Sequence, residues 1–153
     1  MITIRKMYET DIEEVAAIEK SIFSMPWSAD SFRDSIALDH TIYLTAEVDG
    51  NIAGYCGMYK MFHEGEIVNV AVAPTYRNHG VAQTMLKELM RLGIEADIDT
   101  FLLEVRESNH PARALYEKLG FTQLGVRKNF YEKPVENAVI MWLQYEQTPS
   151  TPN

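Results

Sequence analysis

Residues 70–86 read VAVAPTYRNHGVAQTML. A short apolar run ends at Pro74, and from Gly80 onward Val81, Met85, Leu86, Leu89 and Leu92 recur at helical spacing. Arg77, Asn78, His79 and Gly80 occupy the handover from strand to helix. A helix N-terminus presents unpaired N–H groups and the positive end of the macrodipole. A loop of N–H groups leading into it can hold a pyrophosphate. Gly80 has no Cβ to block close approach, and Arg77 can add a charge-assisted contact to phosphate. No Gly-Lys-Ser/Thr follows, so this is not a Walker loop, and the three glycines of a dinucleotide fingerprint are missing. On these residues alone the stretch reads as a phosphate loop or as an ordinary strand-to-helix turn with a helpful glycine.

Upstream, Ile2–Met7 reads as a first strand. Thr10 and Glu13 fit a capping box ahead of an apolar helix face made by Ile12, Val15, Ala16 and Ile18. Met25-Pro26-Trp27-Ser28 interrupts, and Ser28 or Ser31 can cap a second short helix carrying Phe32 and Ile36. Thr41–Val48 and Asn51–Met61 form a hairpin about Asp49-Gly50. A turn at His63-Glu64-Gly65 leads to a strand over Glu66–Val72.

Downstream of the helix Gly80–Gly93, Thr100–Arg106 alternates as a strand, with Phe101, Leu103 and Val105 on one face. Pro111–Leu119 reads as a helix, opened by Pro111, closed by Gly120, and buried through Leu115 and Leu119. Phe121–Arg127 and Ala138–Tyr145 complete the strands. The order β-α-α-β-β-β-α-β-α-β-β implies a mixed α/β (α+β) sheet with helices on its faces. A single domain over 1–146 is expected, followed by a disordered tail at 147–153 that holds two prolines and no core former.

The 153 residues suit one domain, and 46 % hydrophobic residues suit a packed core. MITIRKMYETDIEE contains no run of signal-peptide form, and no apolar run is long enough for a bilayer. A single cysteine, Cys56, fits a reducing compartment, so a cytoplasmic location is expected. The net charge of -8 argues against direct binding to nucleic acid or to an anionic membrane, and suits small or basic partners. His40, His63, His79 and His110 lack metal-ligand spacing, so no metal is assigned. Cys56 lacks a visible base partner and reads as a packing residue.

The R-x-x-G-x-A stretch is followed by Leu103-Glu104-Val105, by Ser108-Asn109, and by Ala114-Leu115-Tyr116-Glu117-Lys118-Leu119-Gly120-Phe121. This series resembles the GNAT superfamily of acyl-CoA-dependent N-acetyltransferases, from about residue 2 to residue 145. Met25-Pro26-Trp27-Ser28, Asn69-Val70-Ala71-Val72, Leu103-Glu104-Val105-Arg106 and Arg127-Lys128-Asn129-Phe130-Tyr131 resemble the RimI-type ribosomal-protein alanine N-acetyltransferases. Those enzymes acetylate the N-terminal alanine of protein eighteen of the small ribosomal subunit. The resemblance implies a GNAT fold, a mostly antiparallel sheet of about six to seven strands flanked by about four helices. It implies acetyl-CoA as cosubstrate and a ribosomal-protein N-terminal peptide as acceptor.

It also assigns roles. An amine attacking a thioester needs a base, a stabilised oxyanion and an acid for the leaving thiolate. Glu104 is the candidate base, because burial in an apolar strand would raise a carboxyl toward a useful range. On the residues alone, a solvent-facing Glu104 paired with Arg106 serves as well. An α-amine titrates near 7.7–8.0 and lysine near 10.4, so roughly a tenth of the former is neutral at pH 7 and a water-assisted base suffices. Val70, Ala71 and Val72 are where the family places a β-bulge that turns backbone N–H groups toward the thioester and pantetheine.

Tyr116 matches the family's acid near the sulfur, though it also reads as a half-buried packing tyrosine. Asn109 matches an asparagine that hydrogen-bonds pantetheine, or is a helix-entry residue. The pyrophosphate would fall to Arg77, Asn78, His79, Gly80, Val81, Ala82 and Gln83, with Arg77 bracing the loop or touching the ligand. Tyr131 is the candidate for the peptide groove, whereas Phe23 and Trp27 read first as core. The chain departs from the family at Phe130-Tyr131, where two tyrosines are common, and at Glu136-Asn137, where an acidic pair is common. Both departures concern the acceptor. A GNAT enzyme acting on lysine or a small amine, and a non-catalytic acyl-CoA-binding module, remain alternatives.

Overall fold

The computed structural model describes residues 1–145, so the tail expected at 147–153 lies outside the described residues. In chain order the elements are β1 (Ile2–Lys6), α1 (Ile12–Ile22), α2 (Ala29–Ile36), β2 (Thr41–Val48), β3 (Asn51–Met61), β4 (Glu64–Val72), α3 (Val81–Glu95), β5 (Thr100–Arg106), α4 (His110–Lys118), β6 (Thr122–Tyr131) and β7 (Glu136–Gln144). Seven strands form one sheet in the order β1-β2-β3-β4-β5-β7-β6. All neighbours run antiparallel except β4 and β5.

The alternation of strand side chains divides the core. Tyr43, Tyr55 and Ala71 pack with Met7, Ile12, Val15 and Phe32 beneath α1 and α2. Their neighbours Leu44, Cys56 and Val70 turn to the opposite face, with Met85, Leu86 and Leu89 of α3 and Tyr116 of α4. Cys56 is buried there, as its packing role requires. Gly57 is needed for this arrangement, because a Cβ on it would stand 2.1 Å from the Tyr43 ring.

The β2–β3 hairpin turns at Asp49 and Gly50, both with positive φ (52° and 81°), the geometry that an Asp-Gly pair adopts at least cost. Ser28 caps α2 by accepting from the Ser31 N–H. Other expectations need correction. The Thr10/Glu13 box does not form. Instead Asp11 accepts the Tyr8 N–H at 2.7 Å and both Arg5 Nη atoms, and a 3-10 turn over Glu9–Asp11 leads into α1.

The β3–β4 turn falls at Phe62-His63, not His63–Gly65. Gly65 is a strand residue, since a Cβ there would meet the Met58 sulfur at 2.6 Å. Strands β6 and β7 reach Tyr131 and Glu136, further toward their shared turn than apolar content suggested. On α4 it is Tyr116 that is buried, with Leu115 and Leu119 half-buried beside it.

The feature that positions the site is a split in the sheet. Strands β4 and β5 pair only over Glu64–Ile67 and Thr100–Leu103. On the other side of β4 the register against β3 jumps from Ile67↔Met58 to Asn69↔Gly57, leaving Val68 unmatched as a bulge. The bulge therefore precedes Val70–Val72 instead of falling within it. Beyond Val68 the two strands no longer pair.

Candidate active site

Antiparallel pairs alternate in the direction of their N–H and C=O groups. The Ala73 N–H donates to Ala53 O, in register with Ala71↔Tyr55 and Asn69↔Gly57. Ala71 and Asn69 thus face β3, and the N–H and C=O groups of Val70 and Val72 face the gap toward β5. The bulge at Val68 sets this phase. A row of backbone donors and acceptors is thereby left without a ladder partner, in a place where an extended amide-bearing ligand can supply one.

The chain leaves Val72 through a 3-10 turn at Pro74–Tyr76 and enters the loop at Arg77. Arg77 Nε donates to Val72 O at 3.2 Å, so this side chain braces the loop against β4. Asn78 and Gly80 adopt positive φ (66° and 78°), and a Cβ at Gly80 would meet nothing within 4 Å. The need for glycine is conformational, and the space in front of the loop is open. Gly80 caps α3, and its carbonyl accepts Thr84 N–H and Oγ1. The N–H groups of Val81, Ala82 and Gln83 belong to the first turn, which has no intrahelical acceptor. Val81 is buried, so its side chain belongs to the core and only its N–H is left for any ligand at this corner. His79 is exposed beside them. The seven predicted positions Arg77–Gln83 therefore form one corner at the positive end of a fifteen-residue helix, exposed over Arg77–Gly80 and with Val81 buried behind it.

Between β4 and β5, lined by Ile67–Val70 on one strand and Leu103–Arg106 on the other, lies a cleft of about 650 Å³. Glu104, Tyr116, Tyr131, Asn109 and Val70 all line it, together with the α1–α2 loop residues Phe23, Met25 and Trp27. Phe23 is 40 % exposed, which corrects its expected core role, while Trp27 packs its ring 5.3 Å from that of Phe32. Asn109 caps α4, its Oδ1 accepting Ala112 N–H at 3.2 Å, so its amide NH₂ is the part left for a ligand.

Glu104 does not pair with Arg106. Its Oε1 lies 3.9 Å from Arg127, and its Oε2 is buried with no hydrogen-bond partner among the described residues. Burial raises its carboxyl above the usual range; Arg127 opposes this and Glu66 adds to it. Burial likewise lifts the Tyr116 phenol well above its ordinary value, helped by nearby Tyr131, and so holds it protonated. Tyr131 is pushed up to about 12 by burial and by Glu104, with Arg106 opposing.

Two residues here were missed by sequence reading. Glu19 of α1 is 4 % exposed; its Oε1 accepts Tyr55 Oη at 2.6 Å and its Oε2 accepts Trp27 N–H at 2.9 Å. It ties the α1–α2 loop to the sheet. A signal existed: Ile12, Val15 and Glu19 share the i, i+3, i+7 stripe, and a carboxylate on a core stripe calls for a buried partner. Asn69 is also buried, and its Oδ1 accepts Tyr43 Oη at 2.8 Å.

The split between parallel β4 and β5, the open helix N-terminus after β4, and a raised carboxyl with a protonated phenol lining the cleft are the features to set beside known proteins. The Acetyltransferase (GNAT) family model matches residues 12–121, and the chain belongs to that family. A protein of Haemophilus influenzae, named as a [Ribosomal protein bS18]-alanine N-acetyltransferase, is 34 % identical over 92 % of this chain and 97 % of its own length. Its namesake in Escherichia coli (strain K12) is 31 % identical over 94 % of this chain and 97 % of its own. A Bacillus subtilis relative bearing that name in provisional form is 40 % identical over 92 % and 93 %. The crystal structure of the Escherichia coli ribosomal-protein-S18-alanine N-acetyltransferase superposes with a TM-score of 0.91 at 29 % identity, covering 100 % of this chain and 99 % of that one.

Proposed function

We propose that this acetyltransferase moves an acetyl group from acetyl-CoA to the N-terminal alanine of ribosomal protein bS18, by direct transfer in a ternary complex. The observation that carries the chemistry is the buried, unpartnered Glu104 Oε2, which lines one cleft with Tyr116 and with the gap-facing backbone of Val70. The acceptor is supported by the names of relatives that match over more than nine-tenths of their length.

Acetyl-CoA fits the corner and the gap. Its pyrophosphate meets the N–H groups at 80–83, with His79 and Asn78 alongside. Its pantetheine amides pair with the gap-facing main chain of Val70 and Val72 and with the Asn109 NH₂, as an added strand would, while Ala71, expected in this row, turns its main chain to Tyr55 on β3. Glu104, directly or through a water, takes a proton from the α-ammonium group. The free amine forms the new N–C bond at the thioester carbonyl, whose oxygen gathers charge against the gap-facing N–H groups. The C–S bond breaks, Tyr116 gives its proton to the departing thiolate, and the second proton leaves the acylated nitrogen through solvent to restore the Tyr116 phenol. Tyr131 lies on the acceptor side.

The acidic balance of the chain suits a basic peptide. The action is placed in the cytoplasm, where ribosomal proteins are made, and needs no nucleic-acid or membrane contact. Mass spectrometry of the bS18 N-terminus from cells with and without this protein tests the reading. Acetylation should vanish with the protein. Purified enzyme should also prefer an Ala-initiated peptide to an N-blocked lysine peptide or a polyamine. Preference for either of those, or tight CoA binding with no transfer, would overturn it.

A further inference from the structure

We infer that Arg106 is a positioning residue of the acceptor site, acting through the turn between β6 and β7 and through Tyr131. The inference rests on the reading above only for the identity of the acceptor.

Arg106 lies two residues beyond Glu104 on β5, so both side chains leave the same face of the sheet. The guanidinium turns away from Glu104 and reaches across β7. Nη2 donates to Glu132 O at 2.9 Å, Nη1 donates to Pro134 O at 3.0 Å, and Nη1 also meets Glu136 Oε1 at 3.2 Å. Its Cζ stands 4.5 Å from the centre of the Tyr131 ring. Glu136 completes the clasp, because its Oε2 accepts the Ser108 N–H at 2.6 Å. One side chain thus gathers two turn carbonyls, an aromatic face and the carboxylate that fixes the loop ahead of α4.

The turn needs such a clasp. Residues 132–135 are exposed, so no core holds them. The β6–β7 ladder is interrupted as well, since its register jumps from Arg127↔Ala138 to Tyr131↔Glu136. Yet Tyr131, Lys133, Pro134 and Glu136 form one wall of the cleft. A planar five-donor fork can serve two carbonyls and a ring at once; a lysine ammonium cannot.

The test compares wild type with Arg106→Lys and Arg106→Ala. Steady-state kinetics with an Ala-initiated peptide are run beside hydrogen exchange of amides 132–136. Both variants should raise the peptide KM by about tenfold or more, the scale of losing charge-assisted bonds and a cation–π contact. The KM for acetyl-CoA should stay unchanged, and exchange in the turn should quicken. Added guanidinium should restore peptide KM to Arg106→Ala but not to Arg106→Lys. A turn that does not loosen would overturn the inference. So would a loosened turn with unchanged peptide KM, or equal rises in both KM values. A wild-type enzyme inactive on the Ala peptide would instead sink the functional reading, and the same arms then apply with whichever amine is turned over.

Discussion

Glu104 carries a buried carboxylate oxygen that makes no hydrogen bond, at a half-buried position beside Arg127. Buried polar atoms are seldom left so, and one in a cleft is held ready for something that arrives. Glu104→Gln and Tyr116→Phe should each retain CoA binding and lose turnover, by about a hundredfold or more for proton-transfer groups. The pH dependence separates them. As the proposed base Glu104 would act when ionised, and its raised value would place the rising limb of kcat/KM above the ordinary carboxylate value of about 4.3. The Gln variant should lose that limb and keep only the one set by the substrate amine. Its stability should move oppositely. A carboxyl whose folded pKa is raised penalises the fold once ionised, so the penalty is absent below the unfolded pKa and complete above the folded one. Glu104→Gln should therefore melt higher than wild type at neutral pH and level with it in acid, as thermal unfolding at the two pH values would report. Near-normal turnover in both variants would dismiss the assigned roles. The order of short motifs singled out Glu104 and Tyr116, and the structure brings both to one cleft. Their burial was not legible in that order, because it depends on where strands from distant parts of the chain diverge.

Elements show the same division. The β2–β3 hairpin and β5 fall where the sequence places them, because Asp49-Gly50 and strict alternation are local signals. The β3–β4 turn was misplaced because Gly65 looks like turn chemistry and is instead a packing necessity against Met58. The bulge was misplaced because register is settled between strands. Asp11, not Thr10, opens α1, since Arg5 on β1 recruits its carboxylate and holds it below the usual range. The α1–α2 loop depends in the same way on Glu19. Glu19→Ala should cost about 1–3 kcal/mol for each buried donor it strands, here Tyr55 Oη and Trp27 N–H. Urea unfolding would measure that loss. Tyr55→Phe added to Glu19→Ala should recover part of it, because one stranded donor is then gone; a strictly additive double mutant would refute the coupling.

At the scale of the molecule, what sequence alone could not show is that the sheet is cut nearly in two. The parallel seam between β4 and β5 is four residues long on each strand, and beyond it both strands turn their free edges to the same opening. A half-sheet carrying α1, α2 and the corner at Arg77–Gln83 meets one carrying Glu104, Tyr116 and Tyr131. On the proposed binding mode, acetyl-CoA laid across the opening would supply the rungs the seam lacks and so be, for the time it is bound, a structural member of the fold. The amide protons of Val70 and Val72 should exchange quickly in the free protein and slowly with CoA present. Global stability should rise by about 2.7 kcal/mol at a hundredfold excess over Kd. Slowing confined to the helix corner would show that the opening is not bridged. On the proposed binding mode such a molecule would be mortared by its own reagent, and the pool of cosubstrate in the cell would govern how long the enzyme lasts as well as how fast it works.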